Sequence, residues 1–198
     1  GRAQTQSAFE RDEVLKWTGR DGTAYWSRGD RGVLLVLANL APAKTQGALR
    51  IAKPAALGLS PRKRYLLYRP DQGRLAGDGP VLGCEVRSFA LSLRPYQPAL
   101  FLITPCAGRP QVLWATGSDG IGDEHYDRRA RQLSFTAKGT PGSRSLVTVH
   151  VGEARVVTCL QGQAAVRPRH RGTLVVMEVA CNEPVHATFA PGEVVNRR

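Results

Sequence analysis

The amino-acid sequence predicts an all-β protein, built as two small antiparallel β-sandwich domains in tandem. Two observations lead to this prediction. Short apolar or alternating segments recur roughly every 8 to 15 residues, with glycine, proline, aspartate or asparagine between them, as in sandwiches and barrels. The 198 residues also include 21 glycines and 13 prolines, which suits many turns and few long helices.

The first half of the chain contains the clearest strands. Residues 33–38 are continuously apolar, so we expect both faces of this strand to be covered. Asp21-Gly22 predicts a tight turn before a strand at 23–27. Residues 88–93 alternate apolar and polar side chains and then meet Pro95, as a half-buried strand does. Further strands are predicted at 14–17, 47–51, 65–68 and 99–103.

Residues 105–110, which contain two prolines and a glycine, are the best candidate for a linker. We therefore predict one domain at 10–104 and a second at 111–192. Within the second domain the alternation is cleanest at 132–137 and 145–151. The other strands expected there are 112–115, 156–160, 173–179 and 185–189.

The net charge of +12 comes mainly from arginine, because lysine occurs only at positions 16, 44, 53, 63 and 138. Guanidinium groups bind phosphate, sulfate and carboxylate through paired hydrogen bonds. A polyanion is therefore a natural partner, although an even surface bias towards arginine explains the same composition. The candidate anion-binding residues are Arg128, Arg129, Arg131, Arg169 and Arg171.

Three aromatic residues are candidates for stacking against sugar rings: Trp26, Trp114 and Tyr126. Tyr25 and Trp26 point to opposite faces of one strand, so at most one of the two is exposed. Core filling is the alternative role for these side chains.

The residues at 119–127 form the acidic cluster of the chain, with Asp119, Asp123, Glu124, His125 and Asp127. Paired carboxylates suit acid–base chemistry, and several carboxylates on one loop suit Ca²⁺. The spacing lacks the pattern of a calcium loop, and arginines follow at once, so a solvated turn with local ion pairs is the favoured interpretation. We expect no metal site and no cofactor.

The four cysteines, Cys84, Cys106, Cys159 and Cys181, are far apart and contain no Cys-x-x-Cys spacing, which argues against a zinc ribbon. Two disulfides or four thiols are both compatible with the sequence. No run of 18 apolar residues occurs, so we expect no membrane partner.

The first half resembles the C-terminal β-sandwich that follows the catalytic barrel in glycoside hydrolases of the α-amylase and α-galactosidase type. The segments that carry this resemblance are 32–40, 57–59, 64–68, 89–96 and 100–103. The second half is similar to a further accessory sandwich at the ends of large secreted carbohydrate-active enzymes. Its matching segments are 125–127, 132–135, 146–151, 172–176 and 182–185.

The resemblance implies a non-catalytic C-terminal region of a secreted glycoside hydrolase. Such a region packs on the upstream catalytic domain and docks polysaccharide. No catalytic residue is carried over, because the catalytic barrel lies upstream of these domains. An extracytoplasmic location follows from the same resemblance. The arginine content keeps an alternative open, a basic module that binds nucleic acid or an anionic polysaccharide, and a purely structural role is the third interpretation.

Overall fold

The structure is a computed structural model, and it describes residues 4–6 and 14–191. The predicted all-β class is confirmed. Apart from a 3₁₀ helix at Pro54–Leu57, the regular structure of the described residues is β-strand, and the strand pairs are antiparallel. The chain divides into two compact units between Cys106 and Ala107, inside the segment 105–110 predicted as a linker. The predicted outer limits of the domains, residues 10 and 192, lie outside the described residues.

The first unit contains the first ten strands of the described chain. They are β1 (Gln4–Gln6), β2 (Leu15–Trp17), β3 (Gly22–Gly29), β4 (Gly32–Asn39), β5 (Thr45–Ile51), β6 (Arg64–Arg69), β7 (Arg74–Leu75), β8 (Val81–Leu82), β9 (Ser88–Leu93) and β10 (Pro98–Pro105). The larger sheet has the order β1-β3-β4-β10-β6-β7, and β8 also pairs with β6. The smaller sheet has the order β2-β5-β9.

The core of this unit lies between the two sheets. Leu35 and Phe101 are directly opposed on β4 and β10, and both are buried there with Leu49 of the smaller sheet. Residues 33–38 differ from the prediction that both faces of β4 are covered. Every second residue of β4 is fully buried, whereas Leu34 and Val36, on the outer face of the larger sheet, are only partly buried.

Two buried polar side chains organise the ends of strands in the first unit. Asn39 is 1% exposed; its Nδ2 donates to the carbonyls of Ala43 (2.8 Å) and Arg94 (2.9 Å), and its Oδ1 accepts from the Ala41 N–H. Arg69 is also buried and forms two hydrogen bonds to Asp71. These bonds satisfy groups that would otherwise be costly to bury.

The second unit contains the remaining nine strands of the described chain. They are β11 (Gln111–Thr116), β12 (Gly120–Asp127), β13 (Gln132–Lys138), β14 (Arg144–His150), β15 (Arg155–Gln161), β16 (Ala164–Ala165), β17 (Arg169–Arg171), β18 (Leu174–Ala180) and β19 (Pro184–Ala190). A four-stranded sheet has the order β11-β14-β18-β17, and a five-stranded sheet has the order β12-β13-β19-β15-β16. Their facing surfaces form one core around Phe135, Val147, Val175 and Phe189.

The segment from β16 to β17 carries the chain from one sheet of this unit to the other. β16 pairs with β15 at the edge of the five-stranded sheet, and β17 pairs with β18 at the edge of the four-stranded sheet. Gln161, just before this segment, is buried and bonds both the N–H and the carbonyl of Ala180 at 2.8 Å. This side chain therefore ties the two sheets together beside the crossing. No helix in the described part of the chain is long and apolar enough to span a membrane.

Candidate functional site

The candidate site lies on the outer face of the four-stranded sheet. Directly opposed residues of an antiparallel pair project to the same face. The inner face carries the buried residues Val147, Val175 and Val179 of the core. The register therefore places two cross-strand rows on the outer face, Trp114–Thr148–Val176–Arg169 and Thr116–Leu146–Glu178.

A groove of about 500 Å³ opens where this outer face meets the crossing segment 164–171. Leu146 and Val176 contribute apolar surface on β14 and β18, and Leu146 is 50% exposed. The remaining lining residues are Arg144, Gln161, Ala164, Ala165, Val166, Arg167, Arg169, Arg171 and Glu178. We call this feature the arginine groove.

The charges of the arginine groove are strongly unequal, because four arginines line it and Glu178 is the sole carboxylate among its lining residues. Arg144 Nε donates to Glu178 Oε1 at 2.9 Å, and the two side chains are 66% and 60% exposed. Such an exposed pair contributes little to stability. Its effect is to orient a carboxylate on a surface that is otherwise cationic.

The other three arginines come from the crossing segment and β17, and all three are exposed. None of Arg167, Arg169 and Arg171 forms an ion pair with another described residue. Arg169 and Arg171 are two residues apart on one strand, so they share a face about 7 Å apart. This spacing offers successive guanidinium groups to an extended anionic polymer.

Trp114 lies on the same outer face, at the opposite edge of the sheet from Arg169. The indole is half-buried, and its Nε1 donates to Thr116 Oγ1 at 3.2 Å. Thr116 is the cross-strand partner of Leu146, so the hydrogen-bond partner of the indole lies beside Leu146 on this face. Trp114 itself does not line the groove.

The predicted anion-binding residues do not form one site. Arg169 and Arg171 line the arginine groove, whereas Arg128, Arg129 and Arg131 lie in or beside the turn between β12 and β13. This turn is held by Asp127 Oδ1, which accepts the N–H groups of Arg129 (2.7 Å) and Ala130 (3.1 Å). These two backbone hydrogen bonds lower the pKa of Asp127.

The two arginine groups adjoin opposite edges of the five-stranded sheet. The 128–131 turn follows β12 at one edge, whereas Ala164 and Ala165, which line the groove, form β16 at the other edge. Four strand-to-strand steps separate these edges, or about 19 Å. The 128–131 turn is therefore a separate cationic feature of the same unit.

Two of the predicted sugar-stacking residues project towards cores instead. Trp26 is 9% exposed within the core of the first unit, while Tyr25 is 41% exposed on the opposite face of β3. Tyr126 is opposite the buried Leu133 and packs against the core of the second unit, with the Arg109 guanidinium 5.6 Å from its ring centroid. Trp26 is thus a core residue, which corrects its assignment as a candidate sugar-binding position, whereas Tyr126 is only partly buried and its assignment stays a prediction.

The acidic cluster is spread along β12 and its flanking turns. Glu124 Oε1 accepts the Val112 N–H at 3.0 Å, and Asp127 holds the turn described above. Across the described ranges, no group of three or more His, Cys, Asp or Glu side chains is placed to hold a metal ion. The sequence favoured a solvated turn with local ion pairs, whereas most of this cluster lies on a strand, and Glu124 and Asp127 accept hydrogen bonds from backbone N–H groups.

The four cysteines are free thiols in the structure, with Cys159 and Cys181 buried. Cys159 Sγ lies 3.7 Å from Met177 Sδ in the core of the second unit. Burial raises the pKa of the Cys159 thiol to about 11, so it is protonated at neutral pH. This environment is that of a packing thiol, since reactive cysteines have lowered pKa values.

Arg144, Arg167, Leu146 and Glu178 line the groove but are not among the predicted site residues. Arg167 lies in the dense run Arg167-Pro168-Arg169-His170-Arg171, a compositional signal that points to this segment. Arg144 and Glu178 are joined by strand pairing across 34 positions of sequence, and no local pattern marks them. Arg144 and Glu178 could therefore not be found from local sequence, because only the register of the sheet brings them together.

Comparison with known proteins gives little further information. No protein-family model matches the chain, and no curated protein matches it. Among solved structures, the chain is similar to a rhamnosidase from Novosphingobium sp. PP1Y, with 10% sequence identity and a TM-score of 0.30. The match covers 90% of this chain and 21% of that chain, so this chain spans about a fifth of the rhamnosidase. A similarity of this size carries no argument about function.

Proposed function

We propose that this chain is a non-catalytic accessory module of a glycoside hydrolase and that it binds an acidic polysaccharide in the arginine groove. The observation that carries the proposal is the convergence of Arg144, Arg167, Arg169 and Arg171 on one groove whose lining holds a single carboxylate. Guanidinium groups match carboxylate and sulfate oxygens in charge and in geometry.

The shape of the site favours a polymer over a small anion. The groove has a volume of about 500 Å³, and its arginines come from β14, β17 and the segment between β16 and β17. Several separated cations suit a chain that carries several anionic groups. The strand patterns that resemble accessory sandwiches of glycoside hydrolases select polysaccharide over nucleic acid as the class of polymer, and they also suggest the parent enzyme.

The proposal is tested by affinity electrophoresis and calorimetry with acidic polysaccharides, a neutral polysaccharide and single-stranded DNA. The test variant is R169A/R171A, and R128A/R129A is the matched control, because both lose two exposed arginines from the second unit. We expect the groove variant to lose about tenfold or more in affinity for an acidic polysaccharide, since each charge-assisted hydrogen bond contributes about 1.5 kcal/mol or more. The control should stay close to the parent chain.

Salt dependence separates the alternatives. Binding of an acidic polysaccharide should weaken between about 50 mM and about 500 mM salt, because exposed charges are screened over this range. Equal losses for the two double variants would indicate non-specific attraction to net charge. Retardation by DNA alone would support the basic nucleic-acid module instead, and binding to none of the polymers would contradict the proposal.

A further inference from the structure

The ligand of the arginine groove can be defined further from the residues that surround Glu178; this step rests on the proposed function. Glu178 lies opposite Leu146 in one cross-strand row, with Val176 two residues away on the same face. Arg169 is opposite Val176 on one side, and Trp114 lies at the far end of that row. Arg169 on β17, Glu178 on β18 and Trp114 on β11 therefore lie on one face of the sheet, and they follow one another in that order across the strands.

The dimensions of this face suit several units of a chain. Three strand-to-strand steps separate Trp114 from Arg169, which corresponds to about 14 Å between their Cα atoms. Thr148 and Val176 are buried between them, whereas the neighbouring row of Thr116, Leu146 and Glu178 is exposed. A polymer that contacts both ends must therefore cross the strands along this exposed row.

The carboxylate of Glu178 restricts which ligand groups can bind at this position. The ion pair with Arg144 engages Oε1, and Oε2 forms no hydrogen bond with another described residue. A carboxylate accepts hydrogen bonds and donates none, so it suits the hydroxyl groups of an uncharged sugar. It repels a second anion at the same position, whether a phosphodiester or a uronate.

The indole points to the same class of ligand. Trp114 presents a half-buried ring that its hydrogen bond to Thr116 holds in place. Aromatic faces pack against the apolar faces of sugar rings, and they also stack with nucleic-acid bases. Glu178 distinguishes these two ligands, because single-stranded DNA carries a negative charge on every unit and has no hydroxyl groups along its chain.

We propose that the groove binds an acidic heteropolysaccharide, in which uncharged sugars separate the acidic ones. An acidic sugar binds Arg167, Arg169 and Arg171, and the following uncharged sugars lie over Glu178 and Leu146 and stack on Trp114. Glu178 is then the residue that discriminates against polymers with an anionic group on every unit.

The test compares gellan and hyaluronan, in which uncharged sugars separate the uronates, with polygalacturonate and oligo(dT), which carry a charge on every unit. We expect the parent chain to prefer the first pair. E178Q removes the charge of an exposed side chain and should raise affinity for the second pair relative to the first by about threefold or more, as local repulsion is relieved. W114A should lower affinity for the first pair by about fivefold, and W114F should restore most of it.

The outcomes separate this inference from the proposed function. If no polysaccharide binds, or if R169A/R171A has no effect, the proposed function itself is wrong. If gellan or hyaluronan binds through the arginines, two results would overturn the inference alone. One is an equal increase in the affinity of E178Q for all four polymers, and the other is an unchanged affinity of W114A for gellan and hyaluronan. Preferred binding of oligo(dT) by the parent chain would assign the face to single-stranded nucleic acid.

Discussion

Arg144 Nε lies 2.9 Å from Glu178 Oε1 on the outer face of the four-stranded sheet. The two residues are brought together by the register of β14 and β18, in which Leu146 is opposite Glu178 and Arg144 is two residues further along. Because both side chains are largely exposed, their attraction is screened by water. The pair therefore contributes little to the free energy of unfolding.

The first prediction concerns that pair. R144A should change the free energy of unfolding by less than about 1 kcal/mol, because exposed ion pairs contribute little. The same variant should weaken binding of an acidic polysaccharide, since one of the four cations of the groove is lost. Urea denaturation and calorimetry measure the two effects. A large loss of stability without a loss of binding would assign Arg144 a structural role.

The second prediction concerns Arg69 in the first unit. Its guanidinium donates two hydrogen bonds to Asp71, at 3.0 Å and 2.6 Å, and lies 4.4 Å from the centroid of the Phe101 ring. R69A should destabilise the first unit by about 2 kcal/mol or more, because it removes two charge-assisted hydrogen bonds and the packing of a buried side chain against the Phe101 ring. R74A is the control, since Arg74 is exposed and bonds only a neighbouring side chain, that of Gln72. Equal effects of the two variants in urea denaturation would contradict this account.

The third prediction concerns Asn39 at the end of β4. Its side chain satisfies two carbonyls and one N–H in a buried position. N39A should cost about 2 kcal/mol or more of unfolding free energy, because unsatisfied buried polar groups are expensive. N39D retains an acceptor for Ala41 but loses both donor bonds, so we expect it to be destabilised as well. Thermal or urea unfolding of both variants tests this prediction. An N39D variant as stable as the parent chain would show that the two donor hydrogen bonds are dispensable.

The fourth prediction concerns pH and His150. Burial lowers the pKa of His150 below its usual value of 6.5, and its Nδ1 has no hydrogen-bond partner within the described residues. The unfolded chain binds the proton more readily, so the stability of the second unit should be full above pH 6.5 and should fall as the pH drops through and below that value. H150Q should flatten this dependence, whereas H170Q alters an exposed histidine and should leave it unchanged. The urea midpoints of the parent chain, H150Q and H170Q, measured across the pH range, test this prediction.

The fifth prediction concerns thiol chemistry. Cys159 is buried and its pKa is raised to about 11, so it should resist alkylation by iodoacetamide near pH 8 in the folded protein. Cys84 is exposed and should react first. Mass spectrometry of peptides after a timed reaction distinguishes the two cysteines. Faster modification of Cys159 than of Cys84 would mean that the second unit opens readily.

Much of the fold follows from local sequence, because alternation and turn residues act over a few positions. The half-buried strand at 88–93 was predicted from its alternation, and the structure confirms it. Residues 33–38 were assigned correctly as a strand, but their burial was overestimated. An apolar run does not reveal how much of its outer face the rest of the fold covers.

The site was predicted less completely, for a physical reason. Arg169 and Arg171 stand in a dense basic run, so composition alone points to them. Alternation established that Tyr25 and Trp26 face opposite ways, yet it could not determine which of them faces the core. Arg144 and Glu178 become neighbours through strand pairing, which depends on the whole sheet rather than on any local pattern.

Binding of polysaccharide in the arginine groove is best tested by an NMR titration of the isotope-labelled chain with gellan oligosaccharides. We expect the largest amide shift changes at residues 144–146, 164–171 and 174–178, together with the indole N–H of Trp114. The 128–131 turn should change little, although it is equally cationic. Changes concentrated at 128–131, or confined to the first unit, would contradict the assignment of polysaccharide binding to the arginine groove.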